Sequence, residues 1–90
     1  MNRTKTRQVR FRMDAEPGRQ VFLAGTFNGW DPRQTPMREN SQKGTYCAAV
    51  ALPSGCHEYK FVVDGEWQVD PKSHAWVPNG VGSLNSVVVV

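Results

Sequence analysis

Residues 57–69 read HEYKFVVDGEWQV, in which two runs rich in apolar and β-branched residues flank the dipeptide Asp64-Gly65. An Asp-Gly pair between such runs is typical of a type I′ hairpin turn, which fixes the register of both flanking strands. With Val63 and Glu66 next to the turn, Val62 pairs with Trp67. The segment therefore predicts a β-hairpin whose pairing is known residue by residue.

The same register predicts which side chains of the hairpin face the core, because successive side chains of a strand point to opposite faces. Tyr59, Phe61 and Val63 form the apolar face, so we expect them in the core. Lys60 and Trp67 then lie on the solvent face as diagonal neighbours, about 7 to 8 Å apart. This arrangement displays an indole ring to water beside a lysine.

Short alternating runs bounded by Gly, Pro, Asn and Asp fill the rest of the chain, whereas helical periodicity is hard to find. In these runs, Phe11 and Met13 point inward, as do Tyr46 and Leu52. The chain therefore predicts an all-β sandwich of six to seven strands. The candidate strands are 8–13, 20–24, 45–52, 57–63, 66–69 and 84–90.

A length of 90 residues favours one domain, which we place at 8–90 behind a basic arm at 1–7. The 39% hydrophobic content argues against intrinsic disorder. No apolar run approaches the ~18 residues of a membrane helix, and the first residues contain no apolar core of a secretory signal. We therefore predict a cytoplasmic protein that does not span a membrane.

The net charge of +3 is concentrated at one end, since five of the eleven Lys and Arg residues lie within the first twelve positions. From Met13 onward, six basic residues are set against eight acidic ones. A basic arm can contact phosphates, but this distribution favours a solvated tail that leads into a strand. We do not expect nucleic acid as a partner.

The two cysteines, Cys47 and Cys56, do not predict a disulfide or a metal site. No CxxC motif is present, and His57 and His74 do not complete a recognisable ligand set. If residues 53–54 form a hairpin turn, Cys47 pairs with Lys60 and lies roughly 13 Å from Cys56, too far for a disulfide. We expect two reduced thiols, and no metal or cofactor.

The carboxylates do not suggest an enzyme, because glycosidases need two of them facing each other across the scissile bond. Asp64, Glu66 and Asp70 lie on predicted turns or exposed strand ends, where they stabilise turns. No serine lies in a nucleophile elbow, and neither histidine has a sequence partner that defines a triad. We predict a protein without catalytic residues.

Trp30 is a second candidate for an exposed aromatic residue, because it lies between the turns Asn28-Gly29 and Asp31-Pro32. Two flat aromatic faces near Lys60 suit a glucose polymer. Each pyranose ring has an apolar face of C–H groups and a rim of hydroxyls. Stacking and hydrogen bonding are then both available, and the residues predict a carbohydrate-binding surface.

Three segments of the sequence resemble the family 48 carbohydrate-binding modules: VFLAGTFNGW at 21–30, LPSGCHEYKFVVDGEW at 52–67, and NSVVVV at 85–90 after Asp70-Pro71. The family includes the glycogen-binding domain of AMP-activated protein kinase beta subunits and the N-terminal modules of branching and debranching enzymes. The resemblance covers residues 7–90. It implies an immunoglobulin-like, early-set β-sandwich that binds α-1,4-linked glucans without cleaving them.

The resemblance also implies the site residues. The family's stacking tryptophans match Trp30 and Trp67, its sugar-binding lysine matches Lys60, and its hydroxyl-binding asparagine matches Asn85. In the loop before that asparagine, kinase subunits carry a leucine and a threonine. This chain has the smaller Val81 there, and Ser83, which keeps a hydroxyl.

Two alternatives stay open from the sequence. Trp76 is either a further sugar contact or a structural lid over the sandwich edge, with the lid favoured. The chain is either a glucan-binding module or a protein-interaction scaffold of the same fold, whose partner is an enzyme or a kinase subunit. The Val-rich strand at 84–90 would offer that partner an edge for pairing.

Overall fold

The computed structural model describes residues 5–90, which form eight β-strands and no helix. Residues 1–4 of the predicted basic arm, including Arg3, lie outside the described residues. The strands are β1 (Thr6–Asp14), β2 (Val21–Gly25), β3 (Thr35–Glu39), β4 (Thr45–Pro53), β5 (Cys56–Val63), β6 (Glu66–Gln68), β7 (Ala75–Pro78) and β8 (Leu84–Val89). The predicted all-β fold is confirmed, and the described part of the chain contains no helix able to cross a bilayer.

The strands follow the order β1-β4-β3-β2-β5-β8-β7, and β6 pairs separately with β5. The first part of β3, residues 35–37, pairs with β2, whereas Arg38 and Glu39 pair with β4. Because β3 changes partners along its length, the sheet curls over. One half, the small sheet, contains β1, β4 and the end of β3; the other half, the large sheet, contains the remaining strands.

The core lies between these two sheets. The ring centroids of Phe11 on β1 and Tyr59 on β5 are 4.8 Å apart in an edge-to-face contact, and Phe61 packs against Tyr59 at 5.7 Å. The inward positions predicted on β1 and β4 are confirmed. The buried cluster consists of Phe11, Met13, Val21, Leu23, Met37, Tyr46, Leu52, Tyr59 and Phe61.

Two strands differ from the sequence prediction. β3 reads TPMRE, with one large apolar residue and a proline, so it lacks the alternation that marks a strand. Pro36 is accommodated because this part of β3 pairs with β2 alone. No strand is predicted at β7, whose four residues, Ala75–Pro78, pair only with β8.

The segment Pro53-Ser54-Gly55 also differs, because it connects the two sheets instead of closing a hairpin. β4 pairs with β1 and β3, whereas β5 pairs with β2, β6 and β8. The pairing assumed between Cys47 and Lys60 is therefore wrong. Both cysteines are free thiols, Cys47 partly buried and Cys56 exposed.

β6 and β8 share the same edge of β5. β6 pairs with residues 61–63 and β8 with residues 56–59, while the other edge of β5 pairs with β2. Lys60 is paired with Ala24 of β2 and with neither β6 nor β8. The large sheet therefore has a gap beside Lys60, between the end of β6 and the start of β8.

The hairpin predicted at Asp64-Gly65 is confirmed, including the pairing of Val62 with Trp67. Asp64 and Gly65 have φ values of 49° and 85°, as a type I′ turn requires. The Asp64 carboxylate accepts the Gln20 amide N–H at 3.0 Å through Oδ1 and the Arg19 guanidinium at 2.8 Å through Oδ2. The turn is thereby attached to the segment that begins β2.

Asp64→Asn tests this attachment through its pH dependence. The Gln20 amide, followed by Arg19, lowers the pKa of the Asp64 carboxyl from its ordinary value. A lowered folded-state pKa stabilises the fold above the unfolded-state pKa, and this stabilisation is lost as pH falls through the folded-state value. We expect wild type to exceed the variant in stability at about pH 7 and to lose that advantage towards about pH 2. Urea unfolding across this range measures the difference, and a pH-independent difference would contradict the assignment.

Candidate functional site

A groove of about 440 Å³ lies on the outer face of the large sheet, opposite the core. Its volume is within the range of about 300 to 1,000 Å³ that is typical of ligand pockets. All six residues that the sequence analysis placed in the site line it, and Asn79 is the one addition. The lining residues are Trp30, Lys60, Trp67, Asn79, Val81, Ser83 and Asn85.

Trp67 forms one wall of the groove. It is the middle residue of the short strand β6, opposite Val62 of β5, and 46% of its surface is exposed. The alternation that buries Phe61 in the core places Trp67 on the outer face. An indole ring in this position presents an apolar surface to a ligand.

Trp30 also lines the groove, from a loop built around the buried side chain of Asn28. The amide group of Asn28 accepts the Gly25 N–H at 3.0 Å and donates to the Leu23 carbonyl at 2.9 Å and to Thr35 Oγ1 at 3.0 Å. The Trp30 N–H donates to the Gly25 carbonyl at 3.0 Å. Trp30 has a φ of 60°, which is rare for a bulky residue and persists only where the surroundings fix it. Here the Asn28 hydrogen bonds fix it.

Lys60 differs from its prediction in one respect. It lies on the outer face, as expected, but it is only 9% exposed. The loop 79–83 folds over it, and its Nζ donates a hydrogen bond to Ser83 Oγ. Strand alternation predicts the direction of a side chain but not a loop that closes over it, so the prediction of a solvated lysine is wrong. The ammonium group lies in the groove, largely shielded from water.

Asn79 organises the loop over Lys60. Its Oδ1 accepts the N–H groups of Val81 at 3.0 Å and Ser83 at 3.2 Å, and its Nδ2 donates to Ser83 Oγ at 2.9 Å. The loop is thereby held in one shape, with Val81 exposed by 83%. The Pro78-Asn79-Gly80 sequence signals a turn, but nothing in the sequence alone places Asn79 in the groove.

Asn85 lies in the groove at the start of β8, where it is buried. Its Nδ2 donates to Glu58 Oε1 at 2.9 Å. Because a carboxylate only accepts hydrogen bonds, this contact assigns the orientation of the amide. Asn85 is therefore held as a fixed polar group with its carbonyl oxygen available as an acceptor.

Trp76 does not line the groove. It lies on β7, opposite Ser86, whereas its neighbour Val77 is opposite the groove residue Asn85. Alternation therefore places Trp76 on the other face of the sheet. Its Nε1 donates to the Asp70 carbonyl at 3.1 Å, which anchors the indole at Asp70.

The carboxylates named in the sequence analysis also lie away from the groove lining. Asp64 holds the hairpin turn, and Glu66 is exposed at the start of β6. Asp70 accepts the Tyr59 hydroxyl at 2.6 Å and the Lys72 amide N–H at 2.9 Å. Burial, and then the Asp70 contact, raise the pKa of the Tyr59 phenol. The groove itself combines aromatic surface with one ammonium, two amides and a hydroxyl, a set suited to a neutral polyhydroxylated ligand.

Comparison with known proteins identifies the family of the chain. A family model described as the glycogen recognition site of AMP-activated protein kinase matches residues 7–90. The chain belongs to this glycogen-recognition family. The resemblance inferred from the sequence is therefore confirmed.

Three relatives illustrate the relationship. This chain is 36% identical over 76 residues to AMP-activated protein kinase subunit beta-2 of Mus musculus, and the match covers 84% of this chain and 27% of that protein. This chain is also 37% identical over 73 residues to subunit beta-1 of Sus scrofa, and that match covers 81% of this chain and 56% of the relative. It is 38% identical over 73 residues to subunit beta-1 of Bos taurus, with 81% of this chain and 25% of the relative covered. The chain thus spans about a quarter of the mouse and cattle subunits.

Asn28→Ala tests the support of Trp30. Removing a buried amide leaves the Gly25 N–H and the Leu23 carbonyl without their partner, and we expect a loss of about 1 to 3 kcal/mol in the free energy of unfolding. The near-ultraviolet circular dichroism of the tryptophans should change as well. Asn40→Ala is the matched control, because Asn40 is exposed and bonds only within its own turn, to the Gln42 N–H. Equal stability of the two variants would contradict this role of Asn28.

Proposed function

We propose that this chain binds α-1,4-linked glucan, as glycogen, a starch-like polymer or a malto-oligosaccharide, without cleaving it. The observation that carries the proposal is the convergence of Trp30, Trp67, Lys60 and Asn85 on one groove. These residues come from three separate parts of the chain: the loop after β2, the β5–β6 hairpin and β8. Membership in the glycogen-recognition family supports the same ligand class.

The tryptophans supply stacking surfaces for the apolar faces of glucose rings. Covering one indole face, about half of the 150 to 250 Å² that a tryptophan can bury, contributes on the order of 2 kcal/mol. After the cost of association, two such faces give micromolar to millimolar affinity. A polymer with many equivalent sites strengthens this weak binding through avidity.

The polar groups select hydroxyls. Lys60 donates one hydrogen bond to Ser83, and its ammonium group has further N–H donors for sugar hydroxyls. Because Lys60 is shielded from water, each such bond is stronger than one made by a solvated lysine. Asn85 and Ser83 complete the set of polar groups. Val81, which is exposed on the loop 79–83, provides an apolar contact. Its side chain is shorter than the leucine of the kinase subunits, so it penetrates less far into a coiled glucan.

We expect the role to be non-catalytic, and the groove lining, which contains no Asp or Glu, supports this. Glycoside hydrolysis requires a carboxylic acid and a carboxylate on either side of the scissile bond. The chain therefore serves as a tether that places an attached enzyme or kinase subunit on the polymer. A cytoplasmic location remains a prediction.

The rival function, a scaffold without sugar binding, relied on the C-terminal strand as an open edge. That edge is only partly covered, because β7 pairs with residues 84–87 of β8, whereas Val88 and Val89 pair with β5 alone. Among the described strands, β1 and β7 end the strand order. Contacts with a partner subunit remain compatible with glucan binding, because the groove occupies one face of one sheet.

Alanine substitution of the tryptophans tests the proposal. Trp67→Ala and Trp30→Ala should each weaken binding of maltoheptaose about tenfold or more, which is the loss of one stacked ring. Trp76→Ala is the matched control, since Trp76 lies outside the groove and its loss should leave affinity unchanged. Intrinsic fluorescence titration and migration in native gels containing glycogen measure binding.

Thermal melting separates a site role from a core role in the same variants. We expect the melting temperature of Trp67→Ala to stay close to that of wild type, because nearly half of the ring is already exposed. A wild-type protein that neither migrates more slowly in glycogen gels nor responds to maltoheptaose would overturn the proposal and favour the scaffold.

A further inference from the structure

A furrow of about 600 Å³ continues from the groove through the gap between β6 and β8. It shares Lys60, Trp67 and Ser83 with the groove, so the two form one continuous depression with Trp67 at their junction. One side of the furrow follows the end of β6, and the other is the start of β8. The furrow exists because both strands pair with the same edge of β5 and leave an opening beside Lys60.

The lining of the furrow is mainly apolar beyond the shared residues. Val69 and Pro71 lie on one side, Leu84 on the other, and Met13 of the small sheet is reached through the opening. Val69 is 36% exposed and Leu84 45% exposed. Of the six large hydrophobic residues exposed among the described residues, four line the groove or the furrow. Such clustering, unlike scattered exposure, is typical of a binding surface.

We propose that the furrow is a second subsite for the same α-glucan chain, which holds glucose units beyond those stacked in the groove. The inference rests on the proposed function. A chain that leaves the groove along Trp67 enters the furrow directly, because the same indole lines both. The apolar side chains meet the C–H faces of the sugar, and Gln68 and Ser83 offer polar atoms for its hydroxyls.

The consequence is a dependence of affinity on chain length. Trp30 and Trp67 stack the units of a short oligomer, and only a longer oligomer reaches Val69 and Leu84. These aliphatic side chains offer less flat surface than an indole, so the furrow adds a smaller increment than the groove. A partner protein docked in the furrow would instead compete with glucan for Trp67.

Leu84→Ala tests the subsite by comparing maltotriose with maltoheptaose in isothermal titration calorimetry. We expect the variant to bind maltoheptaose about three- to tenfold more weakly than wild type, and maltotriose with unchanged affinity. Val89→Ala is the matched control, since Val89 is an exposed apolar residue on the same strand outside the furrow. Val69→Thr, which keeps the side-chain shape, gives a second variant if Leu84→Ala does not fold.

Methyl NMR on methionine-labelled wild-type protein gives an independent reading. The Met13 methyl signal should shift with maltoheptaose and stay in place with maltotriose. Met37 is the internal control, because it is equally buried in the core but does not line the furrow.

The outcomes distinguish the two proposals. Equal affinity of wild type, Leu84→Ala and Val69→Thr for maltoheptaose, or an unshifted Met13 signal at saturation, overturns the subsite. If Trp67→Ala still loses both oligomers in that case, the proposed function stands. If wild type binds neither oligomer, both proposals are overturned, and a docked protein becomes the favoured occupant of the furrow.

Discussion

Tyr59 and Phe61 must point into the core, so Lys60 between them must point out, and this two-residue period of β5 links the fold to the site. Tyr59 packs against Phe11 of the opposite sheet, and Phe61 packs against Tyr59. The outward lysine occupies the one position of β5 where neither β6 nor β8 is paired. A one-residue slip of β5 would reverse both assignments at once, so core packing enforces the position of the ammonium group.

Two loops that line the groove are held by asparagine side chains, which form hydrogen bonds with backbone N–H and carbonyl groups. Asn28 bonds to Gly25 and Leu23 below Trp30, and Asn79 bonds to Val81 and Ser83 above Lys60. Loops fixed in this way lose little conformational entropy when a ligand binds. For the proposed glucan site, which would rely on two weak stacking contacts, this preorganisation would raise the affinity that each contact can deliver.

The hairpin at Asp64-Gly65 could be predicted to the residue because turn chemistry and apolar alternation agree there. β3 could not, since TPMRE has no alternation and becomes a strand only because β2 and β4 lie on either side of it. The positions of Trp30 and Trp67 followed from local signals and from family resemblance. The burial of Lys60 could not be predicted, because it depends on a contact with Ser83, 23 residues away in sequence, in a loop whose closure has no local signature.

At Trp30, the left-handed backbone and the proposed stacking on glucan favour different residues. A glycine there would adopt the same φ without steric cost, so the fold on its own would favour losing the indole. If random variants were selected only for heat resistance, the tryptophan could be replaced by glycine. If they were selected for binding to the polymer, the tryptophan would be kept. Among homologous chains, a tryptophan at this position would then indicate a groove that binds glucan, and a glycine would indicate a groove that does not.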